Sequence, residues 1–324
     1  MNPRARHWTA FAVLAACTVT GGASFVLYKA SVLTQEPLAA GESSWFIAAH
    51  NLVPRFAIGV LFLVAIYRGQ LLRLTRLEWM QALFMAVMSF SGCLLQTDGL
   101  QRTTAGTTAF LGQTYVIFIP LWWALIQRKR PSQWALVASL LVLAGAAVLS
   151  RVDWHTFRIG RGEAEILSST VFFSLLLCSL NWPAFASNRA ECTSTVMFLV
   201  EGAMFAAVAV ATCREPAHLF TPYASPGWVA IVIVAAVLGT AGPFVLINRW
   251  QRFIAPTEAG LLYSFGPVVA ALTEVVLPAP LARWTGIDYA NQPLTPVLLL
   301  GGALILSANV LIQLRPEPPP QTAG

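Results

Sequence analysis

Apolar residues along this chain form long, nearly unbroken stretches, with little alternation and few polar interruptions. Ten stretches stand out, at 10–30, 44–67, 77–98, 104–127, 133–150, 163–186, 193–212, 227–248, 257–277 and 294–313. Each comes near the roughly 20 residues that a helix needs to cross a bilayer. Strands of a membrane barrel would instead show short alternating segments. The most polar connections are 68–78, 128–132, 151–162 and 279–293. Other connections are only a few residues long, so their flanking helices are antiparallel neighbours. The pattern predicts an all-α integral membrane protein with ten transmembrane helices.

Composition sharpens this picture. The chain has 324 residues, of which 57% are hydrophobic and only 10% charged. Its mean hydropathy is +0.67. Soluble domains carry about 25% charged residues, and so few charges cannot cover a water-exposed surface of this size. The solvent for most of the chain is the lipid bilayer. The net charge of +6 lies in short basic clusters between the apolar runs. That is the layout of orientation signals, with no indication of nucleic-acid binding. With the N-terminus inside, Arg4, Arg6, Arg68, Arg73, Arg76, Arg128, Lys129 and Arg130 all fall on the inner side. The bias is weaker in the second half. Both termini are expected in the cytoplasm, as residues 1–9 and as a proline-rich, disordered tail at 314–324. Short loops suit a bacterial inner membrane.

Five cysteines, Cys17, Cys93, Cys178, Cys192 and Cys213, are scattered. None forms a Cys-x-x-Cys pair, so neither a metal site nor a disulfide framework is indicated. The stretch "LAAC" at Leu14–Cys17 resembles a lipoprotein cleavage box. The apolar run continues past it to Leu27, unlike a signal peptide, whose apolar core is short.

An internal repeat follows. "SGCLLQTDGLQR" at 91–102 aligns with "AGPFVLINRWQR" at 241–252. Gly92 meets Gly242, Asp98 meets Asn248, Gln101 meets Gln251 and Arg102 meets Arg252. Both stretches close the third span of their half. Residues 10–150 and 163–313 then read as two copies of a five-helix unit. An odd number of spans turns the second copy upside down, and inverted repeats are a plan of secondary transporters.

Several motifs resemble the EamA-type transporters of the drug/metabolite transporter superfamily. "GGASFVLYKA" is similar to the family's first-helix pattern, with Gly21 where tryptophan is usual. "VPRFAIGVLFLVAI" resembles the second helix with its arginine, here Arg55. "GLQRTTAGTTAFLGQTYVIFIPL" resembles the passage into the fourth helix, and "RPSQWALVASLLVLAGAAVLS" the fifth. "VLGTAGPFVLINRWQRFIAPTEAGLLYSFGPVVAALTEVVL" resembles helices eight and nine, with Pro267 in the family's proline position. "LLLGGALILSANVLI" resembles the tenth. The chain departs from the pattern where a Gly-Glu is common after helices four and nine; here those places read "QRKRP" and "LPAPLARW". The resemblance implies export or exchange of small metabolites, amino acids or drug-like compounds.

Ionisable groups inside hydrocarbon are expensive and are functional candidates by default. Arg55 lies mid-span. Its fork fits a carboxylate, and a structural ion pair is the plain alternative. Glu201 and Glu274 are candidates for proton coupling; Glu274 alternatively faces water near the outer interface. Lys29 lies near a helix end, either as a snorkelling anchor or, by the family resemblance, near the mouth of the central path. Gln113, Tyr115 and Tyr263 need hydrogen-bond partners at their depth, which a substrate, a water or a neighbouring helix can supply. Asn181 and Trp182 precede Pro183, where a broken-helix binding element or a kink is expected. His50 and Asn51 fall near the outer mouth. Gln101 and Gln251 read as caps or cross-links of helix ends. Trp79, Trp122, Trp123 and Trp134 read as an interfacial belt.

The leading function is a ten-helix secondary transporter with alternating access around a central cavity. Its partners are a small-molecule substrate, protons as coupling ion and the lipid bilayer; small residues such as Ala144, Gly145, Gly301, Gly302 and Ser307 pack either a second copy of the chain or helices within one subunit. A receptor or channel-like protein is the second class, although no filter-like ring is indicated. An intramembrane enzyme is the third. His7, His50, His155 and His218 have no metal-ligand spacing, there is no Gly-x-Ser-x-Gly, and no cofactor is called for.

Overall fold

The computed structural model describes residues 3–71, 74–102, 108, 111–128, 130, 132–149 and 159–314. The start of the fourth apolar stretch, Arg73, Lys129, most of the 151–162 connection and the tail lie outside the described residues. Among the described residues, all regular secondary structure is helical. The helices are α1 (Pro3–Gln35), α2 (Ser44–Leu71), α3 (Arg76–Leu100), α4 (Tyr115–Gln127), α5 (Gln133–Leu149), α6 (Arg161–Ser179) and α7 (Ala190–Thr212). They continue as α8 (Pro226–Ala236), α9 (Gly242–Trp250), α10 (Pro256–Tyr263), α11 (Gly266–Glu274), α12 (Pro278–Thr285) and α13 (Pro296–Leu314). A π turn, Val237–Ala241, joins α8 to α9.

Six of these stretches are long and apolar enough to cross a membrane: α1, α2, α3, α6, α7 and the continuous α8–α9. The pair α10–α11 with α12 is bent by 59° and counts as a seventh if taken as one broken span. Three apolar helices, Tyr115–Ile126, Gln133–Val148 and Leu299–Ala308, are shorter. The fold is that of a multi-pass membrane protein.

Local chemistry sets many of the boundaries. α3 starts in a capping box: Thr75 Oγ1 accepts from Glu78 N–H at 3.2 Å, and Glu78 accepts from Thr75 N–H at 2.8 Å. Ser225 caps α8 by accepting from Trp228 N–H. Proline opens α8, α10, α12 and α13, where its missing N–H costs nothing. The expected reach of the sixth stretch to residue 186 is not seen. α6 ends at Ser179, and Pro183 opens a separate 3-10 turn, Pro183–Phe185. Asn181 and Trp182 therefore sit in a helix-end connection, with no kinked span. The 279–293 connection, read as polar loop, contains α12.

Lipid is as apolar as leucine, so close packing holds such helices together more than hydrophobic expulsion does. α2 packs along α7, α3 along α6 and α7, and α5 along α13. α1 packs against α8, the π turn and α9, and also against α10 and α11. α4 lies against α6 and α10. The α2–α7 seam holds the main aromatic core: Phe56 meets Phe198 edge-on at 5.4 Å and Phe205 at 5.3 Å. On the α5–α13 seam, a methyl on Gly145 would come 2.7 Å from the Gly301 carbonyl oxygen. These small residues thus bring two helices of one chain together. Trp79 and Trp134 face outward, as a belt requires. Trp123 is buried and Trp122 donates to Ser174 Oγ at 3.1 Å, so this pair is turned inward.

Polar clamps close both ends. At one end, Glu78 takes Arg189 Nε at 2.7 Å, Nη2 at 2.8 Å and the Arg189 N–H at 3.1 Å. Gln81 Oε1 beside it accepts from Asn188 at 2.8 Å. At the other end, Asp98 Oδ2 accepts from Arg102 and Arg161, each at 3.1 Å, and Arg161 also donates to Glu165 at 2.7 Å. α3 is thereby tied at both its ends to the α6–α7 part of the chain.

A second clamp at the Asp98 end is built on Glu42, between α1 and α2. Its carboxylate accepts from Arg214 N–H, Glu215 N–H and His218 Nδ1. Burial alone would raise the Glu42 carboxyl, but the Glu215, His218 and Arg214 hydrogen bonds hold it below its ordinary value. A carboxyl lowered on folding contributes stability that is complete above its unfolded value and is lost as pH falls through the folded one. Protection of the Arg214 and Glu215 amides should therefore hold at neutral pH and fail below about pH 4. Glu42→Ala should speed their exchange about tenfold at pH 7. Hydrogen-exchange mass spectrometry, corrected for intrinsic rates, checks both; unchanged exchange in the variant would remove Glu42 from the clamp.

Candidate functional site

Five elements bring polar groups together in the middle of the bundle. Arg55 comes from α2, directly after Pro54. That proline has no N–H for the His50 carbonyl, so the helix is loosened where the charge sits. Arg55 Cζ stands 3.6 Å from the centre of the Tyr28 ring, on α1. Its Nη2 donates to Thr240 Oγ1, in the π turn, at 3.3 Å. Its Nε is buried without an acceptor. π turns inside helices are frequent at functional sites.

Glu201, from α7, has no solvent exposure. Neither of its carboxylate oxygens has a hydrogen-bond partner. The nearest polar influences are the Ser89 hydroxyl of α3 and the Arg55 charge, with the Cys93 thiol also in electrostatic reach. Ser89 Oγ itself lies 4.0 Å from Cys93 Sγ. Gly59 explains the approach of α2 to α7, since a methyl there would come 2.7 Å from Phe198 Cδ2. Arg55 and Glu201 thus lie within electrostatic reach of one another across the α2–α7 seam, yet Arg55 donates nothing to Glu201.

Gly239 shapes the opposite wall. A Cβ on it would fall onto the Tyr28 hydroxyl and 2.5 Å from Ser24 Cβ. Only glycine leaves room for the Tyr28 ring to reach Arg55.

Lys29 and Glu274 meet elsewhere. Lys29 Nζ lies 5.0 Å from the centre of the Tyr289 ring, and Tyr289 Oη donates to Glu274 Oε1 at 3.5 Å. Both charges are half-buried. α1 continues six residues past Lys29, so Lys29 is not at a helix end. Glu274 is paired and does not simply face water. Lys29 does not join Arg55. Successive helix positions diverge by about 100°; Tyr28 turns to Arg55, and Lys29 turns to Tyr289. A cavity of about 400 Å³ opens near this end, lined by Leu33, Thr34, Leu38, Thr285 and Asp288 among others. It does not include Arg55 or Glu201.

The remaining candidates are engaged in helix-end contacts. Asn181 Nδ2 donates to the Ile254 carbonyl at 3.0 Å, and its Oδ1 accepts from Gln251 at 3.1 Å. Gln251 also donates to the Leu177 carbonyl and accepts from Tyr263 Oη at 2.9 Å. Gln101 donates to the Ser44 and Thr97 carbonyls. Both repeat glutamines are thus cross-links of helix ends. Trp182 packs on Phe84 and Phe185 with its Nε1 unpartnered. Gln113 is buried in the turn before α4, with Oε1 unpartnered. Tyr115 Oη reaches the Gly260 carbonyl at 3.5 Å. None of these is hydrogen-bonded to Arg55 or Glu201.

His50 and Asn51 lie in a buried chain of hydrogen bonds. Ser31 donates to Asn51 Oδ1, Asn51 Nδ2 to Gln35 Oε1, and the Gln35 amide nitrogen faces His50 Nδ1. Nδ1 must then accept, so Nε2–H donates to the Leu219 carbonyl at 3.1 Å and the imidazole is neutral.

Tyr28, Thr240, Ser89 and Cys93 were not singled out by sequence reasoning. Tyr28 stood inside the quoted "GGASFVLYKA", one position before the lysine. Its signal was a polar-tipped ring one helical turn after Ser24 on an apolar helix.

Residues 7–151 match the EamA-like transporter family. An uncharacterized transporter of Archaeoglobus fulgidus is 24% identical over 305 residues, covering 93% of this chain and 85% of the relative. A solved crystal structure superimposes with a TM-score of 0.63 at 17% identity, over 91% of this chain and 97% of the other. That likeness establishes a shared fold across nearly the whole chain. Over residues 7–151, a little under half of its length, the chain is similar to the EamA-like transporter family.

Proposed function

We propose that this protein is a secondary-active exporter or exchanger of small metabolites, working by alternating access, with Arg55 and Glu201 at its centre. The observation that carries the reading is Glu201: a carboxyl with no exposure and no hydrogen-bond partner, beside an arginine that is itself only half satisfied. A purely structural pair would close on itself. Two unfilled groups held apart instead suit a site that exchanges a proton and an anionic substrate. Arg55 then binds a carboxylate by its fork, and Glu201 couples transport to protons. Amino acids and related carboxylates are the substrate class. Lys29 and Glu274, bridged by Tyr289, form an outer polar station, and Gln113, Tyr115, Asn181, Trp182 and Tyr263 line or brace the path.

Ten spans in two inverted halves remain part of this proposal. Six long helices, one broken span and three shorter apolar helices make ten. Exchanging the halves maps the α3–α6 seam onto α8–α9 with α1, and the α3–α7 seam onto α8–α9 with α2. It maps α4–α6 onto α10–α11 with α1, and returns α2–α7, α5–α13 and α4–α10 to themselves. Such correspondence supports the repeat that 91–102 and 241–252 suggest. N-in, C-in placement in an inner membrane follows from the basic residues on the loops.

Reconstituted vesicles loaded with a panel of amino acids and carboxylates test the reading. Wild-type protein should accumulate or release one class in response to a pH gradient. Glu201→Gln should reduce that gradient-driven component to the level of empty vesicles while leaving counterflow exchange. Full gradient-driven transport by Glu201→Gln would move the proton site elsewhere.

A further inference from the structure

The Tyr28 ring is the closest group to the Arg55 guanidinium on the α1 side. It attracts the cation through its π face and leaves the charge un-neutralised. Behind the ring, its hydroxyl is seated against the backbone of Gly239, next to Ser24. The ring is therefore wedged, and Thr240 beside Gly239 takes one guanidinium N–H. Across the seam, Glu201 has two unfilled acceptor oxygens that a released guanidinium would fill.

We propose that Tyr28 is a positioning residue: its ring holds Arg55 on the α1 side of the site and so keeps the Arg55 fork and the Glu201 carboxyl from closing on each other. The proposal rests on the reading of Glu201 as the proton site. The groups in electrostatic reach of Glu201 are Arg55 from α2 and Ser89 and Cys93 from α3. Of these only Arg55 carries a fixed positive charge. Where that charge is parked then decides whether Glu201 keeps its proton. An arriving carboxylate takes the Arg55 fork without displacing an internal ion pair. Without the ring, Arg55 falls onto Glu201, and proton and substrate compete with a salt bridge inside the protein.

The test uses the full chain in lipid vesicles and infrared difference spectra recorded against pH. The protonated-carboxyl band lost in Glu201→Gln belongs to Glu201. Tyr28→Phe, which keeps the ring face, should titrate like the wild type. Tyr28→Leu should move the midpoint of the Glu201 band toward acid by about one pH unit or more, the effect of an opposite charge brought within contact. Thr240→Val removes the other hold on Arg55 and should move it the same way by less; it carries the test if Tyr28→Leu does not fold. A midpoint unchanged in the variants that fold would overturn the positioning role while leaving the proton site intact. A wild type with no Glu201-dependent band fails at the earlier step, before any Tyr28 variant is compared, and sinks both readings.

Discussion

Arg55→Ala is expected to abolish transport while the protein still inserts and folds. The stability side is small for a concrete reason. Arg55 contributes one hydrogen bond at 3.3 Å and one ring contact, and its Nε is already unpartnered. Losing a desolvated cation–π contact costs about 2 kcal/mol, and the variant also relieves a buried unmet donor. The functional side is large, because truncating one partner of a buried, hydrogen-bonded charge pair with substrate costs about 2–5 kcal/mol. That corresponds to a loss of transport of roughly 30-fold or more. Arg55→Lys should recover little, since an ammonium has no planar fork for a carboxylate. Initial rates in vesicles, set beside thermal unfolding of the same preparations, decide the matter. Near-wild-type rates in Arg55→Ala would take Arg55 out of the path. A large fall in unfolding temperature would instead make it a structural pair.

Gly239→Val is the second large effect, and it strikes fold and site together. The first added carbon already falls on the Tyr28 hydroxyl and on Ser24, whose short side chain leaves the α1 backbone little freedom to yield. Forcing extra methyl groups into such a seam costs about 1–3 kcal/mol. Either α1 moves away from the π turn or Tyr28 rotates off Arg55. Gly239→Val is therefore expected to lower the unfolding temperature and to lose transport. Pairing it with Tyr28→Phe, which removes the clashing hydroxyl, should restore part of the stability. No recovery in the double variant would place the strain at Ser24 alone.

The long helices were legible because their apolar runs are continuous: α1, α2, α3 and α7 sit where the hydrophobic stretches lie. The interruptions were not. The chain stays apolar through the π turn at Val237–Ala241 and through the break after Tyr263, so composition carries no mark of them. α6 stopped short of its apolar stretch because Pro183 begins a new turn and Asn181 satisfies helix ends around Gln251 and Ile254. At the site, Arg55 and Glu201 were legible because a charge in an apolar run stands out. Tyr28, Thr240, Ser89 and Cys93 were not, because each residue type is ordinary in a helix and only the seams between α1, α2, α3, α7 and the π turn bring them together. Lys29 and Glu274 meet through Tyr289, which lies in a connection with no periodicity to place it.

The π turn has one more consequence. It holds one residue beyond what an α-helical path of the same rise accommodates. Each residue turns an α-helix by about 100°. α8 and α9 therefore run as one span but present faces out of phase with each other, and Gly239 and Thr240 occupy the seam between the two phases. Deleting a single residue there would return the span to unbroken α-helix, keep the α9 face where it is and remove the step that carries Gly239 and Thr240. The span is a helix with a one-residue vernier, and the wall of the charged site is cut at the step.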